Sequence, residues 1–374
     1  MQSSNADQLV TIAPIVRGLL ANATGSPDLP YSPVILNFLG DQKAEEAGER
    51  ALHVDSIESD DPEKIREQLR AAIDGYVDEH GLKPEAVCVG DSGLLRISQP
   101  AAEDAELPLR NKVALITGAA GAIGYGICVG LLEKGCHLAV SDLAGEKLDS
   151  LVDDLKQTWA GRVMGVAIDV TDKACVTEGF ESVIRMWGGV DIVVINAGIA
   201  MVSQLKEMDL EAFRKLEKVN VEGALLTLSE TGRHFITQGT GGDIIIISSK
   251  NVPSPGAGFG AYSATKAACH QLGRIASLEL AEYGVRVNMV APDAVFSEGK
   301  YKSGLWEEIG PGRMRARGLD EKELQAYYRD RNLLKISVTG RHVANAVLFF
   351  ATRQTPTTGA TIPVDGGLPD ATPR

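Results

Sequence analysis

The sequence predicts an α/β protein: a doubly wound parallel sheet of about seven strands with a small N-terminal α/β appendage. Three observations point there. Seven short apolar runs recur between residues 109 and 374: "KVALIT", "HLAVSD", "VMGVAIDV", "DIVVINAG", "GDIIIISS", "VRVNMVAP" and "TIPVDGG". Segments of helical period, such as "EGFESVIRMWG" and "ALLTLSETGRHFITQ", lie between them. Strands that are apolar along their whole length need cover on both faces, and right-handed crossovers wind the helices over both. Third, the first run leaves through a Gly-rich turn, "TGAAGAIG", into a helix.

Composition sets the broad class. The chain has 374 residues, 44% apolar and 23% charged, ordinary for a globular protein with a large core. A net charge of −13 argues against a nucleic-acid surface. No apolar run reaches the roughly 18–20 residues that cross a membrane, and the N-terminus lacks the pattern of a signal peptide. Five scattered cysteines, with no Cys-x-x-Cys or Cys/His cluster, read as reduced thiols of a cytoplasmic protein with no metal site.

Residues 1–108 read as a separate small α/β unit of two or three strands that leans on the larger 109–374 domain. "SPVILNFLG" and "PEAVCVG" are its strands. "DDPEKIREQLRAAIDGYVDEHG" is a helix, with Asp60 or Asp61 as cap, Pro62 in its first turn and Gly81 as stop. "SQPAAEDAELPLRNK" is a polar linker.

The Gly-rich turn is the first chemical signal. Gly118, Gly121 and Gly124 fall where the chain leaves the strand. Glycine lets the backbone turn tightly and approach a pyrophosphate, to which the next helix offers its N-terminal N–H groups. A ligand-free strand–helix turn reads the same way on this evidence alone. The second strand ends in Asp142, 24 residues after Gly118. A carboxylate there accepts from adenosine ribose hydroxyls and repels a 2′-phosphate, which favours NAD over NADP. Asp169 ends the third strand, within reach of an adenine amino group. Helix capping is the plainer alternative for both acids.

The reacting group follows. Tyr262 and Lys266 are four apart in a helical segment and so share a face. An ammonium beside a phenol stabilises the phenolate, which suits proton exchange with a carbinol/carbonyl pair. Ser249 ends a buried strand thirteen residues before Tyr262, placed to hydrogen-bond a substrate oxygen. Asn220 lies in a helical pattern, placed to hold backbone or a water for proton relay. A helix cap and a buried structural amide are the plain readings of Ser249 and Asn220.

From about Leu107 onward the chain resembles the short-chain dehydrogenases/reductases. The likeness rests on "TGAAGAIG", "NAG" at Asn196–Gly198, the Asn220/Ser249/Tyr262/Lys266 set, "RVNMVAP" and the late "VDGG", over about 70% of the chain. It implies a Rossmann-type fold. It makes Tyr262 the acid/base, with Lys266 supporting it and binding the nicotinamide ribose. Ser249 would orient substrate and Asn220 support a water-linked proton path. It places Gly118, Gly121, Ile123, Gly124, Asp142, Asp169, Val170, Asn196, Ala197, Gly198, Pro292, Val295 and Ser297 around NAD. Helices like those ending "SETGRHFITQ" and "RIASLELA" pair in family homodimers and homotetramers. Two positions depart from the pattern. Ala122 replaces the loop's middle glycine, and Asp293 stands where the sixth strand ordinarily continues Pro-Gly.

Asp293 is expected at the mouth of the crevice, either reading a hydroxyl-rich substrate or bracing the loop after it. That loop, 298–338, reads as a substrate lid. It holds Trp306, a candidate substrate contact, and Lys300, Lys302, Arg313, Arg315 and Arg317. These cations suit a phosphate or carboxylate, or a solvated face salted against Glu307 and Glu308. "PDAVF" and the lid resemble the dehydrogenase half of bifunctional rhamnulose-1-phosphate aldolase/dehydrogenases and sorbitol-6-phosphate 2-dehydrogenase-like proteins. Residues 1–108 would then be a relic of the aldolase half. Only His53 and His80 occur there, in no ligand spacing, so no aldolase activity and no metal are expected. The reading is an NAD-dependent oxidoreductase acting on a small polyol, sugar phosphate or hydroxyaldehyde. A non-catalytic NAD-binding scaffold and an NADPH-dependent carbonyl reductase are the alternatives.

Overall fold

In a computed structural model that describes residues 5–39, 50–90, 93–98 and 106–369, the seven apolar runs form one parallel sheet. The N-terminal part comes first. It runs α1 (Asn5–Leu20), a two-stranded ribbon of β1 (Asn22–Ala23) and β2 (Tyr31–Ser32), β3 (Ile35–Phe38), β4 (Ala51–Val54), α2 (Pro62–His80), β5 (Ala86–Val89) and β6 (Gly93–Ser98). Its main sheet has four strands in the order β3-β6-β5-β4, one more than the sequence reading allowed. Asp61 accepts from the Glu63 N–H as the α2 cap, and Gly81 closes that helix with φ 73°. The expected linker falls partly outside the described residues, at 99–105.

The large sheet is built from β7 (Val113–Ile116), α3 (Ala122–Glu133), β8 (His137–Asp142), α4 (Glu146–Trp159), β9 (Val163–Ala167), α5 (Lys173–Trp187) and β10 (Ile192–Ile195). Next come α6 (Leu210–Glu217), α7 (Gly223–Gln238), β11 (Gly242–Ile247), α8 (Gly260–Glu279) and β12 (Val285–Pro292). A ribbon, β13 (Ser297–Glu298) and β14 (Tyr301–Lys302), leads to α9 (Gly304–Arg317) and α10 (Glu321–Asp330), then α11 (Gly340–Ala351) and β15 (Thr361–Val364).

The strand order is β15-β12-β11-β10-β7-β8-β9. The central strands β7, β10 and β11 are buried at every residue, whereas edge strands β9 and β15 are not, and β15 carries Pro363. An edge strand with one free side tolerates the missing proline N–H. Helices α3, α4 and α11 cover one face around Ile127, Leu131 and Val347, and α5, α7 and α8 cover the other around Phe180 and Phe235. The chain winds outward from β7 to β9 and then returns to β10 on the other side of β7. The order therefore reverses between β7 and β10, and a crevice opens beyond their C-terminal ends.

The N-terminal unit docks at the opposite end. The buried Arg17 of α1 pairs with Asp191, the residue just before β10. Arg66 donates to the Ile236 and Thr237 carbonyls at the end of α7. Ile35 joins the apolar core under α5 and α7.

Candidate active site

Gly118 has φ +62°, and a Cβ there would lie 2.6 Å from the Ala197 Cα, so only glycine makes this turn. The turn is tied to the end of β10. Asn196 Nδ2 donates to the Thr117 and Gly118 carbonyls at 3.1 and 2.6 Å, while Thr117 Oγ1 accepts from the Asn196 and Ala197 N–H groups. A Cβ on Gly124 would meet the Ala119 carbonyl at 2.4 Å, so α3 can pack this closely on its own entry loop. Ala122 is buried against Gly340 of α11, which is why alanine serves there without closing the turn.

Asp142 ends β8 with one oxygen accepting from Ala120 N–H at 2.9 Å and the other from Leu143 N–H at 2.8 Å. It caps no helix, since α4 begins after Gly145. Asp169 makes an Asx turn with Thr171, whose N–H and hydroxyl donations hold its carboxyl below the usual carboxylate range. The cap of α5 is Asp172, so neither acid plays the alternative role considered above.

Asn220 sits in a π-helical turn, Lys218–Glu222, inserted between α6 and α7. Such insertions gather at functional sites, and helical periodicity alone does not reveal them. The buried amide accepts from Ile199 N–H at 2.9 Å and donates to the Ile199 carbonyl at 2.9 Å and to Thr265 Oγ1 at 3.0 Å. Of the two tasks considered for it, the structure shows it holding backbone. Thr265 Oγ1 donates in turn to the Tyr262 carbonyl at 3.0 Å. Tyr262 and Lys266 are both buried on α8, and Lys266 Nζ donates to the Ile247 carbonyl at 3.0 Å. Ser249 Oγ accepts from Asn251 N–H at 3.1 Å, which leaves its own O–H to donate elsewhere.

Asn220 is not among the lining residues, but Ser249, Tyr262, Lys266, the glycine turn, Asp142 and Asp169 share one cavity of about 1290 Å³ along the C-terminal edge of the sheet. It exceeds the roughly 300–1,000 Å³ typical of a single small-ligand site, leaving room for two molecules side by side. Gly118, Gly121, Ile123, Gly124, Asp142, Asp169, Val170, Asn196, Ala197 and Gly198 line one part. Ser249, Tyr262, Lys266, Pro292, Asp293, Val295 and Trp306 line another. Ser297 does not join them: it lies exposed on β13, where the chain has already turned into the ribbon.

The segment read as a lid, 298–338, forms the β13–β14 ribbon and helices α9 and α10, which contribute side chains to the cavity lining. Trp306 stacks on Phe296 at 4.4 Å and meets Tyr328 edge-on at 4.9 Å. Its cations divide. Lys300, Lys302, Arg313 and Arg317 line the cavity, Lys300 already paired with Asp154 at 2.5 Å, while Arg315 is exposed outside the lining. Glu307 pairs with Lys147 of α4. Asp293 does not present a free carboxylate, because it forms an ion pair with Arg331, a lid residue 38 positions away. Bracing the loop is its observed role. The sequence reading singled out neither Arg331 nor Lys250, although both line the cavity. Lys250 directly follows Ser249 and was open to notice, whereas the Arg331–Asp293 pairing exists only in the fold.

The short-chain dehydrogenase family model matches residues 112–308, more than half of the chain. The chain belongs to the short-chain dehydrogenase family. It is 36% identical over 271 residues to the uncharacterized oxidoreductase YuxG of Bacillus subtilis (strain 168), a match covering 72% of this chain and 39% of that longer relative. An L-2,3-butanediol dehydrogenase of Corynebacterium glutamicum is 32% identical, covering 69% of this chain and 98% of its own. A solved sorbitol-6-phosphate 2-dehydrogenase of Erwinia amylovora superposes with a TM-score of 0.62 at 30% identity, covering 68% and 98%. Short-chain dehydrogenases are oxidoreductases acting on CH–OH groups with nicotinamide cofactors, and the residues present fit such a dinucleotide. A Cβ added to Gly121, at the start of α3, would find only the Lys302 carbonyl at 4.0 Å, so the loop faces open space. A Cβ on Gly198 would crowd Asn220 Oδ1 and Lys266 Nζ, both at 3.2 Å.

Among the described residues no helix is long and apolar enough to cross a membrane. The five cysteines are unpaired, four of them buried.

Proposed function

We propose that the protein is an NAD-dependent dehydrogenase that interconverts a secondary alcohol and a carbonyl on a small polyhydroxylated compound. The observation that carries this reading is the convergence of Ser249, Tyr262 and Lys266 on one cavity whose far part is a glycine turn and a carboxylate, with Asn220 tied to the Tyr262 turn through Thr265. Bound NAD supplies the hydride acceptor. Gly118, Gly121, Ile123 and Gly124 make room for its pyrophosphate, and Asp142 and Asp169 receive the adenosine end. Asn196 to Gly198, Pro292 and Val295 form the wall toward the nicotinamide. Asp142 favours a free ribose hydroxyl and disfavours a 2′-phosphate, which is the basis for NAD over NADP.

The residues' tasks follow from their bonds. Ser249, its oxygen already fixed by Asn251, donates its O–H to the substrate oxygen. Tyr262 takes the hydroxyl proton as the carbonyl forms. Lys266 spends one donor on Ile247 and has two left for the phenolate and the ribose. Asn220 holds the Ile199 segment and, through Thr265, the first turn of α8, fixing where Tyr262 sits. The described residues of the 1–108 unit do not line this cavity, and we read that unit as accessory. Exposed Leu225 of α7 and Ile275 and Leu278 of α8 are the apolar faces through which a homodimer or homotetramer would form.

Tyr262→Phe is the test. General acid–base catalysis contributes about 10²–10⁴-fold, so kcat falls by that order while NADH binding, followed by fluorescence, is retained. Undiminished turnover removes Tyr262 from the mechanism.

A further inference from the structure

Arg313 is a half-buried guanidinium in the cavity wall with only neutral partners among the described residues. Its Nη2 donates to Tyr328 Oη at 3.3 Å, and its plane lies 4.9 Å from the centre of the Phe259 ring. Its Nε is buried and has no acceptor. Arg331 stands over the other side of this hub, 4.2 Å from the Tyr328 ring centre, paired with Asp293 but also with a buried Nε lacking an acceptor. Lys250 completes the group. Burial and then the charge of Arg331 lower its pKa, with Arg313 adding to the effect and Asp293 and Asp365 opposing it. All three cations line the cavity, and of them only Arg331 has an ion-pair partner among the described residues. A half-buried cation without a counter-charge is costly, and buried donors without acceptors are uncommon, unless a ligand supplies both.

The position fits a substrate. Phe259, under Arg313, meets the Tyr262 ring edge-on at 6.2 Å, so a single aromatic ring separates the cation from the acid/base. We propose that Lys250, Arg313 and Arg331 form an oxyanion-binding subsite within the catalytic cavity, and that the substrate is a small polyol or hydroxycarbonyl bearing a phosphate or carboxylate a few carbons from the reacting centre. Arg313 supplies the planar, multi-donor face that such groups prefer. This rests on the dehydrogenase reading given above. It moves the anion contact away from Lys300 and Arg315 to the inner wall.

Two measurements on the full chain test it. The first is calorimetric titration of the NADH-saturated protein with inorganic phosphate and, separately, oxalate. Saturation with NADH keeps these probes out of the pyrophosphate site. The wild type binds at least one of them, and Arg313→Met and Lys250→Met each weaken that binding by about tenfold or more, the usual cost of a lost charge-assisted bond. Absence of binding to the wild type overturns the proposal without any variant being needed.

The second compares kcat/KM for a hexitol phosphate, an aldonate and the free hexitol. Preference for the phosphate or for the aldonate identifies which oxyanion is read, and Arg313→Met collapses that preference toward one. Equal turnover of free and anionic compounds overturns the subsite and leaves the dehydrogenase reading standing. Anion binding that is lost in Arg313→Met, with no alcohol turned over, supports the subsite and overturns the dehydrogenase reading.

Discussion

Replacing Arg17 with methionine asks what joins the N-terminal unit to the sheet. Arg17 is 1% exposed, and its guanidinium meets Asp191 with two parallel bonds of 3.0 and 2.7 Å. The same side chain donates to Val34 O, Gln238 Oε1 and Asn111 O. Four other segments of the chain therefore meet on one planar cation. Methionine fills much of the volume and donates nothing. Asp191, also buried, keeps its bond from Val113 N–H at 2.7 Å but loses its hydrogen-bonded counter-charge. Burial pushes its carboxyl up, and it is Arg17 and then Lys112 that hold it below the usual range. Breaking one side of such a pair costs about 3–5 kcal/mol. At about 2.1 cal/mol/K per residue over 374 residues, that is a Tm lower by about 4–6 °C. Thermal unfolding by circular dichroism at pH 7.5 reads this. The double variant Arg17→Met/Asp191→Asn recovers at least about 1 kcal/mol, because the carboxylate that lost its ion-pair partner is now neutral, while Lys112 still has Asp243 as a favourable charge. A Tm within 1 °C of wild type for Arg17→Met refutes the reasoning, and so does a double variant no better than the single one.

Three further outcomes follow from the same geometry. Burial, and secondarily Arg17, push His234 down to about 4, and its neutral Nε2 accepts from Val190 N–H at 2.9 Å. Its contribution is complete above the unfolded value near 6.5 and is lost as pH falls toward 4, about 2 kcal/mol by pH 5; His234→Gln flattens that limb in urea titrations, and an unchanged limb excludes the residue. Asp142→Ala combined with Leu143→Arg shifts the NADPH/NADH ratio of kcat/KM upward by about tenfold or more, and a ratio that stays put removes Asp142 as the cofactor discriminator. Gly118→Ala places a methyl on backbone at φ +62°, costing about 1–3 kcal/mol of stability and most of the NADH affinity; normal fluorescence titration with NADH contradicts this.

What was legible in the sequence is what local pattern encodes. All seven strands of the large sheet, the glycine turn and the four candidate residues are visible in the sequence, the strands because a doubly buried strand must be apolar throughout and the turn because a chain that reverses this tightly needs glycine. The N-terminal sheet was undercounted because "ALHV" and "GLLRIS" are short runs interrupted by polar residues, and α1 hides behind Pro14 in its interior. The π-helical turn at Asn220 leaves no trace in a 3.6-residue period.

Charge was read least well, for a physical reason. A cation's meaning depends on its partner, and these partners lie 38 positions away for Arg331–Asp293, 146 for Lys300–Asp154 and 174 for Arg17–Asp191. Before folding, Lys300 and Arg313 are equivalent candidates in one basic loop. After folding both line the cavity, but Lys300 is paired with Asp154 of α4, whereas Arg313 lies over an aromatic ring with no carboxylate partner among the described residues. The fold thus sorts a run of like charges by partner: Lys300 is held by Asp154, while Arg313 keeps its charge facing the cavity with only neutral partners among the described residues.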